Sequence, residues 1–286
     1  MKAAGAAADG SAVDGLSVDG LAVDGPVGKL PVAQMQGVSM RWGESLVLDD
    51  INLVVHPGER LVVVGPSGSG KSTILRLLAG LLLPSAGSLR IHGLEQRYLR
   101  LDQRQPPDVR LVFQNPALLA SLTVGENVGF LLYRYGRLGE AEIRRRVGDA
   151  LAAVGLAGIE EKMPGELSGG MQKRVSFARA IIQDPSRADV QEPLLLFDEP
   201  TAGLDPVACT RIEDLIVTTT DMAQASSVVV SHVMSTIERS GERLVLLYDG
   251  RFRWQGTVAQ FRSTDNPYVE QFRSGSLRGP MQPKEV

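Results

Sequence analysis

The sequence predicts an α/β fold with a helical insertion, and three observations predict it. Short apolar runs recur along the chain with helically spaced stretches between them. One of these runs, Leu61 to Val64, ends in a glycine-rich loop that a helical pattern follows at once. Between Pro116 and Gly165 strand signals vanish and helical spacing takes over.

Taken in order, residues 1–30 are of low complexity, with Asp-Gly recurring at Asp9-Gly10, Asp14-Gly15, Asp19-Gly20 and Asp24-Gly25. Carboxylates spaced by glycine turns can cage calcium, but four sparse units make a poor cage, and the composition predicts a disordered tail. A globular pattern then runs over about residues 31–260. Val38 to Met40 and Ile51 to Val55 read as strands flanking the turn Trp42-Gly43-Glu44-Ser45. Leu61 to Val64 is apolar at every position, as a strand buried on both faces would be. Ile74, Leu75, Leu77, Leu78 and Leu81 recur at helical spacing. Further strands are expected at Leu111–Phe113, Leu194–Phe197, Val228–Val230 and Leu244–Tyr248. The helical insertion covers about residues 115–180, with Glu140 to Val154 its clearest helix, and residues 261–286 read as a C-terminal extension.

The 286 residues suit one large domain or two small ones, and a 43% hydrophobic content fills a sizeable core. A formal net charge of -3 without a sustained Lys/Arg block gives no indication of a nucleic-acid partner. Cys209 is the single cysteine, so no intrachain disulfide is possible, which suits a reducing compartment. The first apolar residues are mostly alanines interrupted by Asp and Gly, unlike a secretory signal. The most apolar run, Ile74 to Leu83, contains Arg76 and is about half the length of a membrane span. No span is expected, and a membrane role would have to come through a partner.

Two segments carry phosphate chemistry. Gly65-Pro66-Ser67-Gly68-Ser69-Gly70-Lys71-Ser72 fits G-x-x-x-x-G-K-[ST] between a strand and a helix. Glycines let the backbone wrap so that several N–H groups face one phosphate, and the helix that follows adds its positive end. Lys71 supplies a cation for the β- and γ-phosphates, Ser72 a hydroxyl ligand for Mg²⁺, and Thr73 lies within reach of the α-phosphate. That loop alone means only an NTPase. Leu194 to Glu199 is an apolar strand ending in two carboxylates, which it carries to the sheet edge where ligands of such folds bind. Asp198 is placed to hold Mg²⁺, and Glu199 to polarise an attacking water.

Leu167-Ser168-Gly169-Gly170-Met171-Gln172, with the helix Lys173 to Ala180 behind it, resembles the ABC signature, usually LSGGQ. Physically it is a second anion site: Ser168 as N-cap, Gly169 and Gly170 exposing N–H groups, and a helix dipole behind them. The resemblance covers about residues 34–256 and implies a RecA-like core with an N-terminal antiparallel β subdomain and a helical insertion subdomain. It implies ATP and Mg²⁺ as ligands, and a homodimer of ATPase subunits in which each signature closes over the partner's nucleotide. Gln114 resembles the glutamine that contacts Mg²⁺ and senses the permease. Asp205 matches the loop that crosses the dimer interface, and His232 the histidine that bonds the γ-phosphate. Trp42 resembles the aromatic that stacks on adenine; the alternative is a buried turn aromatic. His56 and His92 match nothing and carry no assigned role.

Within the family, a single set of motifs without a coiled coil is unlike the soluble ATPases that act on ribosomes or DNA. Asn266-Pro267-Tyr268-Val269-Glu270-Gln271-Phe272, the segment around Ser231–Ile237 and the stretch from Asp184 to Pro193 resemble the Mla-type lipid-transport ATPases. Among these, the cyanobacterial and chloroplast members of the trigalactosyldiacylglycerol system are most similar. That likeness implies a multi-pass permease and an MCE-domain lipid-binding protein as partners, with the ATPase peripheral on the cytoplasmic face of the membrane. The alternative is the ATPase of a polar-amino-acid importer. About 30 residues follow Gly256, too few for the regulatory barrel of sugar importers. Phe130-Leu131-Leu132-Tyr133 is read either as permease docking or as core. Tyr268 and Phe272 are read either as anchors toward a partner cassette or as part of a surface helix.

Overall fold

The computed structural model describes residues 30–135, 137–182 and 192–282. The N-terminal tail up to residue 29 and all of the Asp184–Pro193 stretch except its last two residues lie outside the described residues. β1 (Ala33–Trp42) and β2 (Ser45–Val55) form an antiparallel hairpin turning at Gly43 and Glu44. With β4 (Ala86–Ile91) and β5 (Leu94–Glu95) they make a four-stranded antiparallel sheet in the order β2-β1-β4-β5. Met35, Val38 and Met40 of β1 and Leu48, Ile51 and Leu53 of β2 face inward.

The second sheet begins with β3 (Arg60–Val64), which leads through the glycine loop into α1 (Lys71–Leu78). β6 (Val109–Val112) precedes the helical insertion of α2 (Val124–Tyr135), α3 (Glu140–Ala153) and α4 (Gly169–Ile181). The chain then re-enters the sheet as β7 (Leu194–Asp198), α5 (Pro206–Met222), β8 (Ser226–Val230), α6 (Met234–Ser240), β9 (Arg243–Tyr248) and β10 (Arg251–Thr257). The strand order is β10-β9-β3-β8-β7-β6, parallel except for the edge strand β10.

The unbroken apolar runs follow from cover on both faces. Leu61 and Val63 of β3 join a cluster with the antiparallel sheet and α1, while Val62 and Val64 point the other way, into a cluster with the helices. Phe177 of α4 stacks on Phe197 of β7 with ring centroids 5.2 Å apart, fastening the insertion to the sheet. α3 shows the expected amphipathic division. Ile143, Val147 and Leu151 are buried, and Arg144 and Arg145 pair with Glu140 and Glu142 on the solvent side.

Three strands were not legible in the sequence; one of them, β5, is only two residues long and exposed at both. β4 offers only Leu89 and Ile91 as buried side chains, and β10 is an edge strand with no buried position, so neither shows a clean alternation. The strand read at Leu111–Phe113 starts earlier and stops at Val112, leaving Phe113 exposed. At the C-terminus, α7 (Val258–Ser263) and α8 (Pro267–Ser274) fold back on the chain itself. The boundary expected at residue 260 falls inside α7, whose Phe261 is fully buried with Val269 and Met281 in the main core. Tyr268 meets Tyr248 at 5.8 Å and Phe272 meets Phe261 at 6.4 Å. No helix of the described residues is long and apolar enough to cross a membrane.

Removing the α4–β7 stack should be costly, because both rings lie within the core. Phe177→Ala is expected to lower the unfolding free energy by ~3–5 kcal/mol in urea titration. A loss below ~1 kcal/mol would mean that the stack does not hold the insertion.

Candidate active site

The adjacency of β3, β8 and β7 brings three chain segments to one edge of the sheet. β3 delivers the glycine loop, β7 ends in Asp198 and Glu199, and β8 leads to His232 two residues after Val230. Asp198 pairs in register with Val230, and the backbone N–H of Glu199 donates to the Val230 carbonyl at 3.0 Å.

The loop demands glycine where the backbone crowds. A Cβ on Gly65 would lie 2.1 Å from the Leu247 carbonyl oxygen, and Gly70, at φ 103°, would drive one to 2.8 Å from Leu48. α1 starts directly after Gly70, without a side-chain cap; the N–H groups of Thr73 and Ile74 donate to the Gly70 carbonyl, which leaves those of Lys71 and Ser72 for a ligand. Lys71 folds back on the loop, its Nζ donating to the carbonyls of Gly65 and Pro66 at 2.9 Å each. It also stands 3.9 Å from Glu199 Oε1. Burial holds its pKa below the ordinary lysine value, against the opposing pull of Glu199 and Asp198.

Ser72 Oγ donates to Asp198 Oδ1 at 2.9 Å. Burial raises the Asp198 carboxyl above the usual range; the Ser72 bond opposes this and the neighbouring Glu199 reinforces it. Glu199 has φ 44°, a left-handed conformation that a non-glycine residue adopts at a cost. Its Oε1 is 2.9 Å from His232 Nδ1. Glu199 Oε2 and Ser69 Oγ are buried without a hydrogen-bond partner among the described residues. Orphaned oxygens beside a hydroxyl–carboxylate pair fit a site completed by a hard cation and a phosphate, since buried polar atoms are otherwise satisfied.

Lys71, Glu199 and His232 are thus in direct contact, and Ser72 and Asp198 form a second contact next to them through the chain. Four other expected elements stand apart from this cluster. Gln114 is exposed just beyond β6. Trp42 ends β1 at 50% exposure, so the buried-turn alternative does not hold. Its hairpin reaches the loop through Val47 and Leu48, which lie against Gly70. Ser168 caps α4, its hydroxyl accepting the Met171 N–H at 3.3 Å. Asp205 caps α5, with Oδ1 accepting from Val207 and Ala208 at 3.0 Å each. Ser168, Gly170, Met171 and Asp205 line one cavity of about 440 Å³ that contains no phosphate-loop residue.

Sequence reading missed a link between these parts. Lys173, buried on α4, donates to the carbonyls of Pro200 and Ala202, tying the helix behind Ser168 to the turn after Glu199. A lysine directly after a signature-like loop was the only available signal. The run Phe130 to Tyr133 divides: Leu132 is core, while Phe130, Leu131 and Tyr133 are exposed. Phe130 and Tyr133 line a groove of about 850 Å³ with Leu122, Glu126, Arg134 and Arg144. His56 and His92 directly follow β2 and β4, each with a buried Nε2 that has no hydrogen-bond partner among the described residues.

A family model described as ABC transporter matches residues 48–202. The chain is 45% identical over 258 residues to the chloroplast protein trigalactosyldiacylglycerol 3 of Arabidopsis thaliana, covering 87% of this chain and 75% of that protein. It is 34% identical over 252 residues to the intermembrane phospholipid transport system ATP-binding protein MlaF of Haemophilus influenzae, covering 87% and 92%. A dimeric ATP-binding cassette solved in a post-hydrolysis state with ADP and Pi aligns at TM-score 0.68 and 30% identity, over 79% of this chain and 98% of that one.

Lys71 is a buried cation folded against the glycine loop, so its removal should cost a charged hydrogen bond to nucleotide. Lys71→Met is expected to weaken ATP binding by ~10–100-fold in a fluorescent-nucleotide titration, with the circular dichroism spectrum unchanged. Affinity within twofold of wild type would remove Lys71 from the phosphate site.

Proposed function

Because the chain belongs to the ABC transporter family and is an ATP-hydrolysing transporter cassette, we propose that two copies sandwich two ATP molecules head-to-tail and drive a separate lipid-transporting permease. The observation that carries the pairing is the presence of two anion-binding helix ends in different places on one chain. One is α1 with the glycine loop; the other is α4 behind Ser168, in a cavity that excludes that loop. One nucleotide touching both kinds of end draws them from two copies, with Ser168, Gly169, Gly170 and Asp205 facing the partner's ATP and Trp42 stacking on adenine.

Within each site Lys71 binds the β- and γ-phosphates, and the backbone from Gly65 to Thr73 wraps them. Ser72 and Asp198 would hold Mg²⁺ with Gln114 completing the set; bound there, the ion neutralises charge on the phosphates. Glu199 Oε1 is engaged by His232, which leaves Oε2 to orient a water in line with the γ-phosphate. His232, half exposed at the site's rim, turns toward that phosphate once nucleotide is bound.

The lipid reading is supported by relatives that cover most of the chain, one named for intermembrane phospholipid transport and one for a galactolipid. It brings a multi-pass permease and an MCE-domain lipid-binding protein as partners, and a peripheral position on the cytoplasmic face. The groove beside Phe130 and Tyr133, which mixes these aromatics and Leu122 with Glu126, Arg134 and Arg144, suits a short amphipathic permease segment.

Glu199→Gln is expected to bind ATP, accumulate as a closed dimer in size-exclusion chromatography and lose turnover by at least ~100-fold; wild-type turnover in this variant would remove Glu199 from its role. Affinity purification from native membranes should recover a multi-pass permease and an MCE-domain protein, and Tyr133→Asp should lose both while retaining ATP binding. Recovery with an amino-acid permease instead would end the lipid reading.

A further inference from the structure

We propose that Glu213, on α5, is a positioning residue that sets the Glu199–His232 contact through Thr236 and Thr201. The proposal rests on the roles given above to Glu199 and His232. Glu213 is almost wholly buried, with about 1% of its side chain exposed, although it bears a carboxylate and lies outside every motif. Its Oε1 accepts two hydroxyls, Ser235 Oγ at 2.6 Å and Thr236 Oγ1 at 3.0 Å. Thr236 Oγ1 is in turn 3.0 Å from Thr201 Oγ1.

A threonine hydroxyl has a single proton to donate. The Thr236 hydroxyl donates its proton to Glu213 Oε1, so Thr201 must donate to Thr236. The chain of bonds therefore has one direction, Thr201 to Thr236 to Glu213, and each link orients the next. Its two ends reach the two reactive segments. Thr201 sits in the turn that starts at Glu199, closed by the bond from Ala202 N–H to the Glu199 carbonyl at 3.1 Å. Ser235 and Thr236 form the first turn of α6, directly after His232. One carboxyl oxygen thus holds the chain on both sides of a 2.9 Å contact that joins residues 33 apart in sequence.

Packing alone does not call for a carboxylate here. Its α5 neighbours Ile212 and Ile216 and Ile237 of α6 fill the surrounding core with apolar side chains, and a buried carboxylate is poorly stabilising unless its partners are well placed. Glu213 Oε2 has an ion pair, to Arg239 Nε at 3.4 Å, but no hydrogen bond. Arg239 also serves Asp214 at 3.2 Å. The bonds that are short and directed are those to the segments carrying the site.

The test uses the full chain and four substitutions: Glu213→Gln, Thr236→Val, Thr236→Ser and, as reference, Glu199→Gln. Steady-state ATPase kinetics are combined with histidine-selective NMR of the nucleotide-free protein, which has only three histidines. The His232 resonance is assigned by its loss in His232→Ala. Glu213→Gln and Thr236→Val should lower kcat by about ten- to a hundredfold with KM for ATP within twofold, and should move the His232 resonance while those of His56 and His92 stay. Thr236→Ser, which keeps the hydroxyl, should recover most of the rate. A kcat close to wild type in both Glu213→Gln and Thr236→Val, or a fall in kcat with the His232 resonance unmoved, overturns the proposal. If Glu213→Gln does not fold, the Thr236→Val and Thr236→Ser pair decides by the same two readouts. Retained turnover in Glu199→Gln would signal failure of the underlying reading; loss there with no effect at positions 213 and 236 would fail this inference alone.

Discussion

The bond from the Glu199 N–H to the Val230 carbonyl extends the β7–β8 ladder one step past the last paired residues, Asp198 and Val230. The rest of the site depends on it. It carries the sheet's register past the strand ends, so that Glu199 leaves β7 beside the point where the chain leaves β8 for His232. The left-handed conformation of Glu199 then turns its side chain toward that histidine. Such a conformation persists only where surroundings over-determine it. Here they do: the ladder holds the residue from behind, and a turn closed on its own carbonyl, with Lys173 bonded to Pro200 and Ala202, holds it from ahead.

What could be read from the sequence divides along this line. The glycine loop and the Asp198-Glu199 pair were legible because each is local: a few consecutive residues at the end of a strand buried on both faces. The six-stranded core was legible for the same reason in β3, β7, β8 and β9, where cover on both sides forces runs of Val and Leu. β4 and β10 escaped because an edge strand, or one with two buried positions, needs no such run. The Thr201–Thr236–Glu213 chain and the Lys173 bridge escaped for a different reason. Their partners lie 23 to 35 residues apart, and threonine, glutamate and lysine in those places look like ordinary helix and turn residues until the fold brings them together.

The division between apolar and polar fastening has a physical logic. The insertion is attached by Phe177 on Phe197 and by the aliphatic faces of α2, α3 and α4, contacts that are strong in sum but tolerant of small sliding. The segments bearing Glu199 and His232 are attached to each other and to α4 and α5 by directed hydrogen bonds with little tolerance in angle. Phosphoryl transfer gains most from placement and charge, so directional bonds sit where sub-ångström placement matters. Dispersion contacts sit where subdomains only need to stay together.

Hydrogen-bond partnering among the side chains at the glycine loop is uneven. Lys71 spends its donors on the carbonyls of its own loop and lies 3.9 Å from Glu199, while Glu199 Oε2 and Ser69 Oγ lack partners among the described residues. A phosphate arriving at the loop offers Lys71 a stronger, charge-assisted acceptor than two carbonyls, and it offers Ser69 an acceptor it lacks. A phosphate held there would satisfy both groups. Glu199 Oε1, by contrast, already has a partner in His232 Nδ1 at 2.9 Å. Within the site, the oxygens without partners among the described residues thus lie on the loop and on Glu199, while the Glu199–His232 contact is held by the fold itself.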